Sequence, residues 1–218
     1  MKNEVFNIDC MVGMKDFPDN YFDLAVVDPP YGIGDINQEA SRKIHKKMLW
    51  NSLIPEKSYF DELQRVSKNQ IIWGVNYYTK YIHSTGRLIH DKTDYGKQKI
   101  LKELSEADLA SHSFGVNIKI FRYGWSGNVQ NGSINWDNSG PDRRIHPTQK
   151  PIALYEWIFK NYAEQGHKIL DTHLGSGSSR IAAYNYRMDF TGFEIDKDYF
   201  DDAEKRFQNH IAQLKIFV

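Results

Sequence analysis

One short run constrains the fold more than any other feature. Residues 23–27 read Asp-Leu-Ala-Val-Val, apolar at four consecutive positions, and stop at Asp28-Pro29-Pro30. An apolar run without alternation suits a strand buried on both faces, as in a parallel sheet covered by helices on either side. Two prolines then end it sharply. The rest of the chain agrees with such a sheet. Strands are expected at 4–9, 70–75, 88–90, 117–123, 168–171 and 190–193. Helices are expected at 57–68, 101–111, 152–163, 178–186 and 199–214. In the first of these, Tyr59, Phe60, Leu63 and Val66 are spaced for one buried face. Strands alternating with helices predict an α/β fold with a mostly parallel central sheet.

The length of 218 residues fits one domain over 1–218. Two stretches depart from the alternation. Residues 32–55 are polar and turn-rich, a surface excursion carrying Arg42, Lys43, His45, Lys46 and Lys47. Residues 124–144 are rich in Gly, Asn and Ser around Trp125 and Trp136, and read as a loop or small hairpin. Lysine plus arginine and aspartate plus glutamate both total 28, so the formal net charge is zero. A nucleic-acid contact would therefore be a local patch. The single cysteine, Cys10, excludes an internal disulfide and a cysteine-based metal cluster within one chain. No metal site is expected. The opening residues lack the apolar core of a signal peptide and no stretch is long enough to cross a membrane, so a cytoplasmic protein is expected.

Residues 168–194 hold the strongest local pattern. A strand ends at Asp171, a Gly175-Ser176-Gly177 turn opens a helix at Ser178, and the next strand ends at Glu194. The two glycines allow positive φ and close backbone approach. The helix start points free N–H groups at a ligand. An acid about 20 residues past the turn, on the adjacent strand tip, can accept hydrogen bonds from ribose hydroxyls. This suits a nucleoside-bearing cofactor. The pattern is only part of a dinucleotide fingerprint, because Arg180 replaces the third glycine, and no Gly-Lys-Ser/Thr follows to make a phosphate loop. Asp28-Pro29-Pro30-Tyr31 stands at a carboxyl tip of the sheet, where α/β proteins place ligands.

These blocks together resemble the S-adenosylmethionine-dependent amino-methyltransferases of DNA, which methylate adenine N6 or cytosine N4. Asp28 to Tyr31 match the family's catalytic motif. Asp171, Gly175 and Gly177 match its cofactor motif, and Glu194 its ribose-binding acid. His146, Pro147, Thr148, Lys150 and Pro151 lie in a third block, HPTQKP, which packs over the methionine part of the cofactor in the family. The order of blocks is that of the permuted beta subgroup, and residues 95–123 are similar to small phage-associated members. Thr172, His173 and Ser178 depart from the usual Pro, Phe and Thr of the cofactor motif.

The resemblance implies a Rossmann-like methyltransferase fold with permuted motif order. It also implies S-adenosylmethionine as cofactor, S-adenosylhomocysteine as product, and double-stranded DNA as substrate. A homodimer is common in the subgroup, and a cognate restriction nuclease is a further expected partner. Asp28 would accept one hydrogen of the target amine and the Pro29 carbonyl the other, with Pro30 fixing the backbone and Tyr31 stacking on an extruded base. The cofactor would meet Asp28, His146, Pro147, Thr148, Lys150, Asp171, Thr172, Gly175, Ser176, Gly177, Ser178, Glu194 and Ile195. The region 124–144 would serve as a short target-recognition loop.

Simpler readings stand beside these. Tyr31 could be a core ring, His146 a hydrogen-bonded turn residue, and His173 packing. Lys150 fits either the wall of the cofactor site or the cofactor's carboxylate. Arg42, Lys43, Lys46, Lys47, Arg143 and Arg144 are either a solvated face or phosphate contacts, with a lean to DNA. Asp at the head of the motif favours adenine by resemblance. The alternatives are cytosine N4, an RNA adenine, or a non-catalytic nucleotide-binding subunit. A nicotinamide-dependent oxidoreductase is more distant, because a second nucleotide half is not easily found.

Overall fold

The computed structural model describes residues 1–33, 53–93, 105–125, 129–130, 133–134 and 144–216. The chain opens with β1 (Asn3–Phe6), a single helical turn α1 (Cys10–Gly13) and β2 (Leu24–Val27). Then come α2 (Lys57–Val66), β3 (Gln70–Trp73), β4 (Gly86–Asp91), β5 (Ala107–His112) and β6 (Ile118–Arg122). A two-stranded ribbon of β7 (Val129–Gln130) and β8 (Ser133–Ile134) follows. The last part holds α3 (Ile152–Tyr162), β9 (Lys168–Asp171), α4 (Ser178–Asn185), β10 (Asp189–Phe193) and α5 (Lys197–Ile216).

Eight strands form one sheet in the order β1-β10-β9-β2-β3-β5-β4-β6. The first five run parallel, with Phe6 beside Phe193, Asp171 beside Gly192, Ala25 beside Leu170 and Val26 beside Ile71. β5 runs antiparallel to both β3 and β4, and β4 pairs in parallel with β6 at the edge. The fold is Rossmann-like, α/β and mostly parallel, as the sequence predicts.

β2 shows why an unbroken apolar run was needed. Successive side chains point to opposite faces. Leu24 and Val26 join Ile71, Trp73, Leu154, Ile158, Phe159, Ala182 and Ala203 in one core layer. Ala25 and Val27 join Tyr59, Phe60, Leu63, Val66, Ile72, Tyr78 and Phe193 in the other. Both faces are therefore dry, and α2 buries the four residues its spacing marked. Each Val, Leu, Ile or Phe among them, fully buried, adds about 1.5–3 kcal/mol of transfer free energy.

The helix expected at 101–111 is corrected. Residues 101–104 lie outside the described residues, and 107–112 are a strand. β5 fills the gap between β3 and β4, with Ser111 beside Ile72 and Ala110 beside Leu88. Hydrogen bonds from two neighbours outweigh a weak helical preference. The strand expected at 4–9 ends at Phe6, because the Asp9 side chain accepts the Met11 N–H at 2.7 Å and caps a helical turn. The final helix starts at Lys197 rather than Tyr199. Most of the excursion expected at 32–55, and most of the loop at 124–144, lie outside the described residues, which include the β7–β8 ribbon. Among the described residues, no helix is long and apolar enough to cross a membrane.

Candidate active site

The tips of β2, β9 and β10 leave the same end of the sheet as neighbours, since the three strands are parallel and adjacent. That geometry carries Asp28, Asp171 and Glu194 together from positions far apart in the chain. Their proximity has an electrostatic signature. Burial raises the Asp171 carboxyl to about 7, and the nearby charges of Asp28 and Glu194 push in the same direction. Burial also raises Glu194 above the usual carboxylate range, against the hydrogen bonds it accepts from Asp196 and Gly175.

The glycine turn is built by these acids. Asp171 accepts the His173 N–H at 3.1 Å and the Ser179 hydroxyl at 2.5 Å. Glu194 accepts the Gly175 N–H at 2.8 Å and the Asp196 N–H at 3.0 Å, tying the turn to the next strand tip. Gly175 and Gly177 have φ of +52° and +73°, a region that L side chains rarely adopt. Gly177 offers no side chain to cap α4, so the first N–H groups of that helix keep their donor capacity toward the turn. Arg206 holds the turn from behind, donating to the Ser176 carbonyl at 2.7 Å and to the Ser178 hydroxyl at 3.0 Å. Arg180, where a dinucleotide fingerprint has its third glycine, points away to Asn3 and Glu204 and is structural.

The substitutions at 172 and 173 are accommodated by packing. The Thr172 hydroxyl meets the Tyr59 hydroxyl at 2.6 Å and His173 Nδ1 at 2.9 Å. The His173 ring stands edge-on to Tyr59, and burial lowers its pKa to about 4, so it is a neutral packing residue at pH 7.

At the β2 tip, both oxygens of Asp28 are engaged. Oδ1 accepts the Tyr31 hydroxyl and Oδ2 the Lys150 ammonium. The Tyr78 hydroxyl donates to the Pro29 and Pro30 carbonyls, at 2.6 Å each. Tyr31 stacks on Tyr77 at 4.8 Å with 13° between ring planes, and Tyr77 faces solvent. Gly74 lies so close to Tyr31 that a Cβ there would fall 2.2 Å from its ring. Tyr31 thus packs against one core layer while its hydroxyl reaches Asp28.

The HPTQKP block closes over this end. His146 is buried, stands edge-on to Tyr199 at 4.4 Å, and its carbonyl accepts the Gln149 N–H, the turn role expected for it. A Cβ on Gly175 would lie 3.6 Å from the His146 ring, so the block does touch the glycine turn. The Thr148 hydroxyl meets His146 Nδ1 at 3.2 Å. Trp125 donates to the Gln149 carbonyl at 2.7 Å and fixes the block from the far side. Arg144 is half-buried and donates to the His146 and Pro147 carbonyls, bracing the block. Arg42, Lys43, Lys46, Lys47 and Arg143 lie outside the described residues. Ile195 is exposed at the rim, its carbonyl and that of Glu194 held by Asn7.

Three participants were not identified from sequence: Lys150 as the partner of Asp28, Tyr78 under the proline pair, and Asn7 behind Glu194. The Asp28–Lys150 and Asn7–Glu194 pairs each join residues more than a hundred positions apart. The run Tyr77-Tyr78 just past a strand was the one visible signal.

The chain is similar to known proteins. Residues 118–205 match a family described as DNA methylase. The Type II methyltransferase M.BglII of Bacillus subtilis is 24% identical over 257 residues, covering 92% of this chain and 68% of that protein. The Type II methyltransferase M2.DpnII of Streptococcus pneumoniae is 24% identical over 178 residues, covering 82% of this chain and 56% of its own length. The chain resembles the DNA amino-methyltransferases. Among solved structures, the M1.HpyAVI–SAM complex has a TM-score of 0.58 at 17% identity, covering 93% of this chain and 98% of that one. The PvuII DNA methyltransferase, described as cytosine-N4-specific, has a TM-score of 0.61 at 12% identity, covering 96% and 91%. The family match holds the glycine turn, Glu194 and HPTQKP, while Asp28 to Tyr31 lie before it in the chain.

Proposed function

We propose that this chain transfers a methyl group from S-adenosylmethionine to the exocyclic N6 amino group of adenine in double-stranded DNA, after the base is flipped out. The observation that carries the proposal is the meeting of the Asp28 tip with the Asp171–Glu194 tips. The donor set fits the cofactor: two positive-φ glycines, an uncapped helix start, and an acid on the next tip for ribose hydroxyls.

The cofactor, when bound, supplies a methyl group already activated on a sulfonium. The chain must then orient the amine, whose lone pair is delocalised into the base. Asp28 accepts one amino hydrogen and so turns the lone pair toward the methyl. The Pro29 carbonyl has a second lone pair beyond the one used by Tyr78, and takes the other hydrogen. Tyr31 supplies a stacking face worth about 1–3 kcal/mol per base, against a few kcal/mol for flipping. Holding the two reactants in line provides most of the acceleration, roughly 7–11 kcal/mol.

Asp28 at the head of the motif supports adenine by family resemblance. The likeness to the cytosine-N4-specific PvuII enzyme supports a second reading, cytosine N4. One experiment separates them. Double-stranded DNA of mixed sequence is incubated with methyl-labelled S-adenosylmethionine, digested to nucleosides and identified by mass. N6-methyldeoxyadenosine is expected. N4-methyldeoxycytidine selects the second reading, and label in RNA but not in DNA moves the substrate class.

A further inference from the structure

The Lys150 ammonium occupies the acceptor that the target amine needs. It donates to Asp28 Oδ2 and, at 3.2 Å, to the Tyr31 hydroxyl. Its side chain is only 5% exposed, and it lies 5.4 Å over the Trp73 ring. A buried cation cannot simply be released, because leaving a partner without gaining another carries a large desolvation penalty. The structure holds a second carboxyl, one strand beyond β3. Asp108, near the start of β5, stands across β3 from the β2 tip that carries Asp28, two residues from the Ala110 that pairs with Trp73, the ring under Lys150, and its charge acts on Lys150 and Tyr31. Lys92 pairs with Asp108 at 2.9 Å, and His90 Nδ1 lies 3.6 Å from its other oxygen. Burial opposes the Asp108 charge, yet His90, Lys150 and Lys92 hold the carboxyl below the usual range. Asp108 is thus an anion on the strand that follows β3 in the sheet, while Asp28 is at the tip of the strand that precedes it, and Lys150 lies over Trp73 of β3 between the two strands.

We infer that Lys150 is a two-position cation: it rests on Asp28 while the site is empty and turns to Asp108 when a sulfonium and a target amine enter, which makes Asp108 a positioning residue for the transfer. The inference rests on the methyltransferase reading. It explains why a carboxylate on the antiparallel strand faces the site, a feature the transfer chemistry alone does not require. It also explains how one acceptor serves two donors. Without Asp108, the ammonium stays beside Asp28 and repels the incoming sulfonium.

Two ligands that differ by one methyl and one charge test this. S-adenosylmethionine carries the sulfonium and S-adenosylhomocysteine a neutral sulfur. Calorimetry gives both dissociation constants for the wild-type chain, Asp108→Asn, Lys150→Gln and the double variant. Asp108→Asn should lower the preference for the sulfonium by about tenfold while changing affinity for the neutral ligand by less than about threefold. In the Lys150→Gln background the same change should leave the preference unmoved. Equal weakening of both ligands by Asp108→Asn, or a shift that persists without Lys150, overturns the inference. Should Asp108→Asn not fold, Lys150→Gln alone decides: the sulfonium preference must stay within about threefold of the wild type, because the wild-type ammonium has already left Asp28, and a rise of about tenfold, the mark of an ammonium that stays beside Asp28, overturns the inference. A wild-type chain that binds neither compound overturns the methyltransferase reading itself.

Discussion

Asp28 and Asp171 are both carboxyls on strand tips, but their surroundings divide their work. Asp28 is paired by an ammonium and a phenol, so it remains an acceptor for donors at the site. Asp171 is buried, raised to about 7, and spends its oxygens on the turn. The raised pKa predicts a pH dependence. Between about pH 4 and 7 the folded chain holds a proton on Asp171 that the unfolded chain releases. This contribution to stability is full below pH 4 and lost as pH rises through 7. Asp171→Asn, which cannot ionise, should therefore destabilise the protein less at pH 8 than at pH 5 in urea unfolding. An equal penalty at both values would contradict the burial argument. Asp28 was legible in the sequence because its motif is contiguous. Its partner Lys150 was not, because an ion pair spanning 122 positions leaves no local pattern.

Elements explain which side chains can meet. The glycine turn between β9 and α4 was readable because its requirement is local: a positive φ at 175 and 177 selects glycine. Gly177→Ala places a side chain in that region and should cost about 1–2 kcal/mol of stability. Its measured effect on cofactor affinity should exceed its effect on the Asp28 end. The support under the proline pair is another element-level device. Tyr78, just past the helical turn Val75–Tyr77 that follows β3, gives one hydroxyl to two carbonyls. Tyr78→Phe should lose about 0.5–1.5 kcal/mol in chemical denaturation, and transfer should fall because the Pro29 carbonyl is no longer fixed. β5 marks where element reading failed. Residues 107–112 carry no strand alternation strong enough to announce themselves. They become a strand because β3 and β4 each present an open edge to them, which is information held by the partners.

At the scale of the whole molecule, the sheet order makes the site. β2 sits beside β9 although 140 or so residues of chain separate them, and only this adjacency brings the Asp-Pro-Pro-Tyr motif to the glycine turn. The sequence supplied both halves of the site, through an unbroken apolar run and a strand–turn–helix. It could not supply their proximity by local pattern, and the family resemblance filled that gap. A ligand held by several elements at once should stabilise the fold as a unit. S-adenosylhomocysteine at 100 times its dissociation constant should add about 2.7 kcal/mol. For a chain of this size that is roughly 5–10 °C in the thermal midpoint. A midpoint unmoved by saturating ligand would mean that the strand tips do not form a binding site.

The most direct measurement compares binding and transfer in Asp28→Ala. That side chain is held to orient the amine and not to retain the cofactor. The folded variant should bind S-adenosylmethionine within a few-fold of the wild type while label transfer to DNA falls by on the order of 10²–10⁴. Binding and transfer lost together in a folded variant, or transfer left intact, would contradict the account.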